Sequence, residues 1–341
     1  MRPGAAPAAP PVSFLVPVRN EASFLGEALA SVSGQTFPDF EAIVVDDGSS
    51  DGSAEIAEAH ARDDGRFRVV RQASEGLVAA LERGRAEARG RLLARLDGDD
   101  VALPGRLAAQ VEALEEEGLT ACGGRVESFP RAAVRDGRRR YERWLNGLVT
   151  PELAARDVFV ECPLAHPALL VRRDAVEAVG GYRDAGWPED YDLVLRLWAA
   201  GARFRNVEAV VLRWREHAGR RSRNEPAYAQ EAFVRCKVHH LRATLLCGFE
   251  SVVVWGAGPV GKGFARELRR CGVTVAAFAE VDPRKLGHEI DGAPVVPLAD
   301  VRRYGASFVL GAVAGETARG EIRREAAALG RREGVDFVAV A

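Results

Sequence analysis

Asp97-Gly98-Asp99-Asp100 gathers three carboxylates at the end of a strand-like run, Arg91–Leu96. Magnesium and manganese take oxygen ligands, commonly one or two protein carboxylates with phosphate and water completing the shell. Asp and Gly also dominate turns, so the tetrapeptide alone reads as a turn as well. Asp46-Asp47-Gly48-Ser49 closes an earlier β-branched run and could accept from the N–H of a pyrimidine; an Asx turn with Ser49 or Ser50 capping the next helix competes with that reading. Glu189-Asp190 follows Pro188 where a helix should start. A carboxylate there could take the proton of an acceptor hydroxyl, although acids in a first turn also suit the positive end of a helix dipole. A diphosphate to neutralise, a nucleoside to recognise and a hydroxyl to activate are the three needs of glycosyl transfer from a nucleotide donor.

Something must aim these clusters. Strand character falls at Val12–Val18, Phe40–Asp46, Phe67–Val70 and Arg91–Leu96, and helical periodicity at Ala22–Val32, Ser53–Ala61 and Leu77–Ala88. The order βαβαβαβ predicts a parallel sheet, with both Asp-rich segments at carboxyl ends of strands, where open α/β sheets bind ligands. Glu127 to Pro163 is polar and weakly periodic, and is expected to be irregular with short helices. A strand at Ala168–Val171, a helix from near Pro188 and another from Pro226 to Leu246 follow. At Ser251 a second α/β unit starts, with strands at Thr274–Ala279 and Ser307–Ala312. Residues 1–11 read as a disordered lead-in, 12–245 as one domain and 246–341 as a second.

The ordered motifs resemble the family 2 glycosyltransferases over about residues 12 to 224. Val16-Pro17-Val18-Arg19-Asn20-Glu21 is similar to the family's opening strand and loop, and Val44–Asp51 to its nucleotide-binding segment. The stretch from Gly76 to Asp100 is similar to the helix and strand that end in its DxD metal site, and His166–Arg173, Gly180-Gly-Tyr182 and Glu189–Leu193 to its acceptor-side segments. The resemblance implies a GT-A nucleotide-diphosphosugar transferase fold and an inverting, metal-dependent enzyme. Pro17, Arg19, Glu21, Asp46 and Asp47 would then serve the donor, Asp47 at the nucleobase; Asp97 and Asp99 would hold the ribose-diphosphate and Mn2+ or Mg2+; Asp190 would be the catalytic base. Arg213-Trp-Arg-Glu-His217 is similar to the segment that closes the donor site, which makes His217 a metal or diphosphate ligand; Arg220-Arg221 departs from the smaller residues usual there. Glu189, His166 and Trp144 are acceptor-side candidates. An Arg138–Arg140 cluster could hold an acceptor phosphate, but a solvated face with Trp144 in the core competes with that.

Gly256-Ala-Gly258-Pro-Val-Gly261 fits GxGxxG between a strand and a helix, and Glu280 lies where a dinucleotide fold places its ribose-binding acid. The stretch is similar to small Rossmann-like domains, and a dinucleotide or other nucleotide is its expected ligand; glycines serving strand–helix packing are the alternative. An NAD(P)-dependent oxidoreductase would need a proton-relay constellation that the chain lacks, and a non-catalytic sugar-nucleotide binder fits poorly with Asp47, Asp97, Asp99 and Asp190 together.

The formal net charge of −2 over 341 residues gives no field to attract nucleic acid. Five scattered cysteines, without CxxC, read as reduced thiols of a cytoplasmic protein. No apolar run nears the roughly 20 residues that span a bilayer, which leaves peripheral contact with the inner membrane face open. UDP-sugar is the default donor, and a glycan, lipid-linked or small-molecule acceptor is expected.

Overall fold

The computed structural model describes residues 9–341. The lead-in expected over 1–11 lies outside the described residues as far as residue 8. Two compact units are present: one comprises 9–155, 163–184 and 192–220, the other 156–162, 185–191 and 221–341.

The first unit holds an eight-stranded mixed sheet. Its strands are β1 (Val12–Val18), β2 (Phe40–Asp47), β3 (Phe67–Gln72), β4 (Leu92–Arg95), β5 (Val101–Ala102), β6 (Ala121–Phe129), β7 (Leu170–Arg172) and β8 (Phe204–Arg215). They lie in the order β3-β2-β1-β4-β7-β6-β8-β5. β1 pairs in parallel with β2 and β4, while β7 runs antiparallel to β4 and β6. Every residue of β1 is buried, as expected of a parallel strand covered on both faces. Ser13 tolerates this because its hydroxyl donates to Glu41 at 2.7 Å and accepts from the Gly90 amide at 2.8 Å. Helix Ala22–Ser33 buries Leu25, Ala28, Leu29 and Val32, a three- and four-residue spacing that packs one face on the sheet.

The middle of this unit departs from expectation. Glu127 is part of the nine-residue β6, and Asp136–Asn146 is one continuous helix of 11 residues. β6 contains Gly123-Gly124, poor strand formers alone; the conformation comes from parallel pairing with β8, some 80 residues later. A Cβ on Gly124 would lie 2.5 Å from a methyl of Val211, so the glycine admits the neighbouring strand.

The second unit carries a six-stranded sheet: β9 (Ser251–Trp255), β10 (Thr274–Glu280), β11 (Glu289–Ile290), β12 (Ala293–Pro297), β13 (Phe308–Gly311) and β14 (Phe337–Ala339). The order is β11-β12-β10-β9-β13-β14, parallel except for β11. Val252, Val253, Phe264, Phe278 and Phe308 form its buried interior. Helix Gln230–Ala243 packs against helix Pro259–Arg270 and belongs with this unit.

Candidate active site

Just past β4, Asp97, Asp99 and Asp100 bring carboxylate oxygens within 4.8 Å of one another. Glu21, at the head of helix Ala22–Ser33, adds a fourth. A Cβ on Gly98 would overlap Glu21 Oε2 at 1.9 Å, so Gly98 is what lets this carboxylate approach. Glu21 Oε2 and Asp100 Oδ2 are buried without hydrogen-bond partners. Burial, then Asp99 and Asp97, push the Glu21 carboxyl well above its usual range. Burial, then Asp99 and Asp97, do the same to Asp100, and burial followed by Asp97 raises Asp99.

Cations already approach the rim. Arg95 forms an ion pair with Asp97, and His217 Nε2 lies 2.7 Å from Asp99 Oδ2. Arg215, at the end of β8, donates its amide to Asp100 Oδ1 at 2.7 Å and its Nε to the Asp99 carbonyl at 2.6 Å. A carboxylate cluster with orphaned buried oxygens and mutually raised acids is what a hard divalent cation would relieve. The residues present fit magnesium or manganese, with Asp97, Asp99 and His217 as the expected holders and Asp100 and Glu21 beside them.

Pro17 is buried in β1, and Arg19 is exposed with its guanidinium 3.8 Å from Asp47. Asp47 accepts from Gln72 at 2.9 Å and from the amides of Glu75 at 2.7 Å and Gly76 at 3.0 Å, which shapes the loop after β3. Asp46 accepts weakly from the Ser49 amide at 3.4 Å. Asp51 locks the loop ends together, accepting from the amide of Ala22 at 2.9 Å and the hydroxyl of Ser53 at 2.6 Å.

His166 is buried and hydrogen-bonded to the Tyr182 hydroxyl at 3.0 Å; burial, then Arg95, hold its imidazole pKa well below the usual value. Trp144 is partly buried and packs against the hydrophobic core. Arg138 is not on a solvated face: its guanidinium stacks over Trp214 at 3.5 Å and its Nε reaches Glu216 at 3.1 Å. Arg139 and Arg140 are exposed.

Glu189 and Asp190 lie in the second unit, at the start of helix Glu189–Ala199. Glu189 is buried and accepts from the Tyr228 hydroxyl at 2.7 Å, whereas Asp190 is half-buried and accepts from the Tyr191 amide at 2.7 Å. The glycine turn after β9 is tight. Gly256 has φ +118°, and a Cβ on Gly261 would overlap the Gly256 carbonyl at 1.8 Å. Glu280 already accepts from the amides of Ala257 at 3.1 Å, Val281 at 2.9 Å and Asp282 at 3.2 Å, and from Lys285 at 2.9 Å.

A sheet whose strand ends carry a DxD carboxylate cluster and a nucleotide-type loop defines the GT-A class of sugar-nucleotide transferases. Residues 13–180 match the model described as glycosyl transferase family 2, and this part of the chain is a family 2 glycosyltransferase domain. It is 29% identical over 228 residues to the putative glycosyltransferase EpsE of Bacillus subtilis (strain 168), covering 64% of this chain and 78% of that protein. Against putative glycosyltransferase EpsH of the same organism it is 43% identical over 91 residues, 27% of this chain, and spans only 26% of EpsH. The crystal structure of S. aureus TarS 1-349 in complex with UDP-GlcNAc has the same fold: TM-score 0.56, 17% identity, 76% of this chain and 72% of that one.

Arg95, Arg215 and Tyr228 were not singled out by sequence. Arg95 and Arg215 stand two residues from Asp97 and His217, a proximity that could have marked them; nothing local marks Tyr228.

Proposed function

We propose that this protein transfers a sugar, with inversion, from a nucleotide diphosphate donor to an acceptor hydroxyl, with a divalent cation. The observation that carries this is the group of four carboxylates at Glu21, Asp97, Asp99 and Asp100, two of them with an orphaned buried oxygen, rimmed by His217, Arg95 and Arg215. When bound, magnesium or manganese supplies counter-charge to the diphosphate leaving group. Asp47 receives the base, Asp97 and Asp99 hold the ribose-diphosphate and the ion, and His217 completes the set. Asp190 takes the proton of the acceptor hydroxyl as its oxygen bonds the anomeric carbon and the bond to the diphosphate breaks. One displacement with one base inverts that carbon.

The half-buried setting of Asp190 leaves it the accessible acid of its pair, while Glu189 is buried. UDP is the default nucleotide, and the TarS complex with UDP-GlcNAc is the precedent for it. In our reading the glycine turn after β9 is a packing joint, since Gly261 meets the Gly256 carbonyl. No helix among the described residues is long and apolar enough to cross a membrane. None of the five thiols is disulfide-bonded.

Calorimetric titration with UDP, GDP, dTDP and NAD, each with and without manganese, tests the proposal. Manganese-dependent binding of one nucleoside diphosphate is expected. Binding of NAD alone would move the chemistry to the second unit.

A further inference from the structure

The turn that bears Glu189-Asp190 is gripped from within its own unit by residues 228–239. Tyr228 donates to Glu189 Oε2 at 2.7 Å, and Arg235 donates to the Gly186 carbonyl at 2.9 Å. The Trp187 ring stacks on His239 at 5.1 Å and Tyr191 on Phe233 at 6.0 Å. Burial, then the Glu189 and Asp190 carboxylates, hold the Tyr228 phenol far above its ordinary range, so it remains a donor throughout the working pH range. Arg221 lies close enough to Glu189 to feel its charge.

We propose that Tyr228 is a positioning residue for proton transfer: by holding the buried Glu189 it fixes the first turn of helix Glu189–Ala199, and with it the carboxylate of the adjacent Asp190. This rests on Asp190 being the base. The division of labour is physical. Two neighbouring carboxylates repel, and a phenol that donates to one of them anchors it in place beside the other. A hydrogen bond to a charged acceptor is among the stronger kind, and a base displaced by an ångström loses much of its effect.

The test is a double-substitution cycle in the full chain, Tyr228→Phe with Glu189→Ala, read as nucleoside diphosphate release from UDP-glucose, UDP-GlcNAc and GDP-mannose with manganese. Tyr228→Phe should lower kcat about tenfold while the affinity for the nucleoside diphosphate stays within about twofold. The double variant should be no slower than Glu189→Ala alone, because both changes cut the same link. Losses that multiply, or an unchanged kcat in Tyr228→Phe, overturn the positioning role. Asp190→Asn run in parallel separates the two ideas: if it is inactive while Tyr228→Phe is normal, only the positioning role falls. If Asp190→Asn turns over normally, or the wild type releases nothing from any donor, the underlying reading falls and takes this one with it.

Discussion

His217 Nε2 lies 2.7 Å from Asp99 Oδ2, although 118 residues of chain separate them. The contact ties the end of β8 to the loop after β4, and Arg215 reinforces it from the same strand through Asp99 and Asp100. Asp99, the proposed cation ligand, is thus held by an imidazole. Phe24 packs 5.0 Å from the His217 ring and limits where that ring can turn.

Asp99→Ala should therefore weaken manganese-dependent nucleoside diphosphate binding by about tenfold to a hundredfold, and His217→Ala by about tenfold, on the scale of lost metal-site interactions. Calorimetry measures both. Unchanged affinity in Asp99→Ala would remove the metal assignment.

Asp190→Asn keeps the shape of the side chain and removes its basicity. Nucleoside diphosphate affinity should stay at the wild-type level while kcat falls about a hundredfold or more. Steady-state kinetics beside calorimetry tells this apart from a binding defect.

The acid cluster predicts how stability depends on pH. Glu21, Asp99 and Asp100 have folded-state pKa values raised above those of the unfolded chain. The folded state therefore holds more protons, and the stability these groups contribute is present at low pH and declines as pH rises through and above the ordinary carboxylate range. The proposed divalent cation would relieve the same repulsion. Manganese should thus raise Tm more at pH 8 than at pH 5, as thermal unfolding at both values would reveal; an equal shift would detach the ion from this cluster.

Gly261→Ala forces a methyl onto the Gly256 carbonyl, and the second unit should lose about 3 kcal/mol, the upper end of ordinary overpacking. Chemical denaturation measures it. If Gly261 only packs, Gly261→Ala should leave nucleoside diphosphate affinity at the wild-type level.

Local chemistry fixed a good deal of this protein. The β-branched runs of β1 and β2, the apolar spacing of helix Ala22–Ser33 and the Asp-Gly segments after β2 and β4 are short-range signals, and each element formed within a few residues of where periodicity placed it. The order of the motifs was enough to mark the family. Tertiary structure decided what depends on partners distant in sequence. β6 is a strand because β8 pairs with it, and its Gly123-Gly124 could not declare that alone. Arg138 sits on Trp214 instead of in water, since a cation finds an aromatic face only once two elements meet. Glu21 became the fourth carboxylate because Gly98 leaves it room, and Tyr228 became the partner of Glu189, 39 residues away. Residue type and spacing determine which chemistry a chain can carry; which side chains share a charge or a proton is settled by packing, which brings together groups that the chain itself keeps apart.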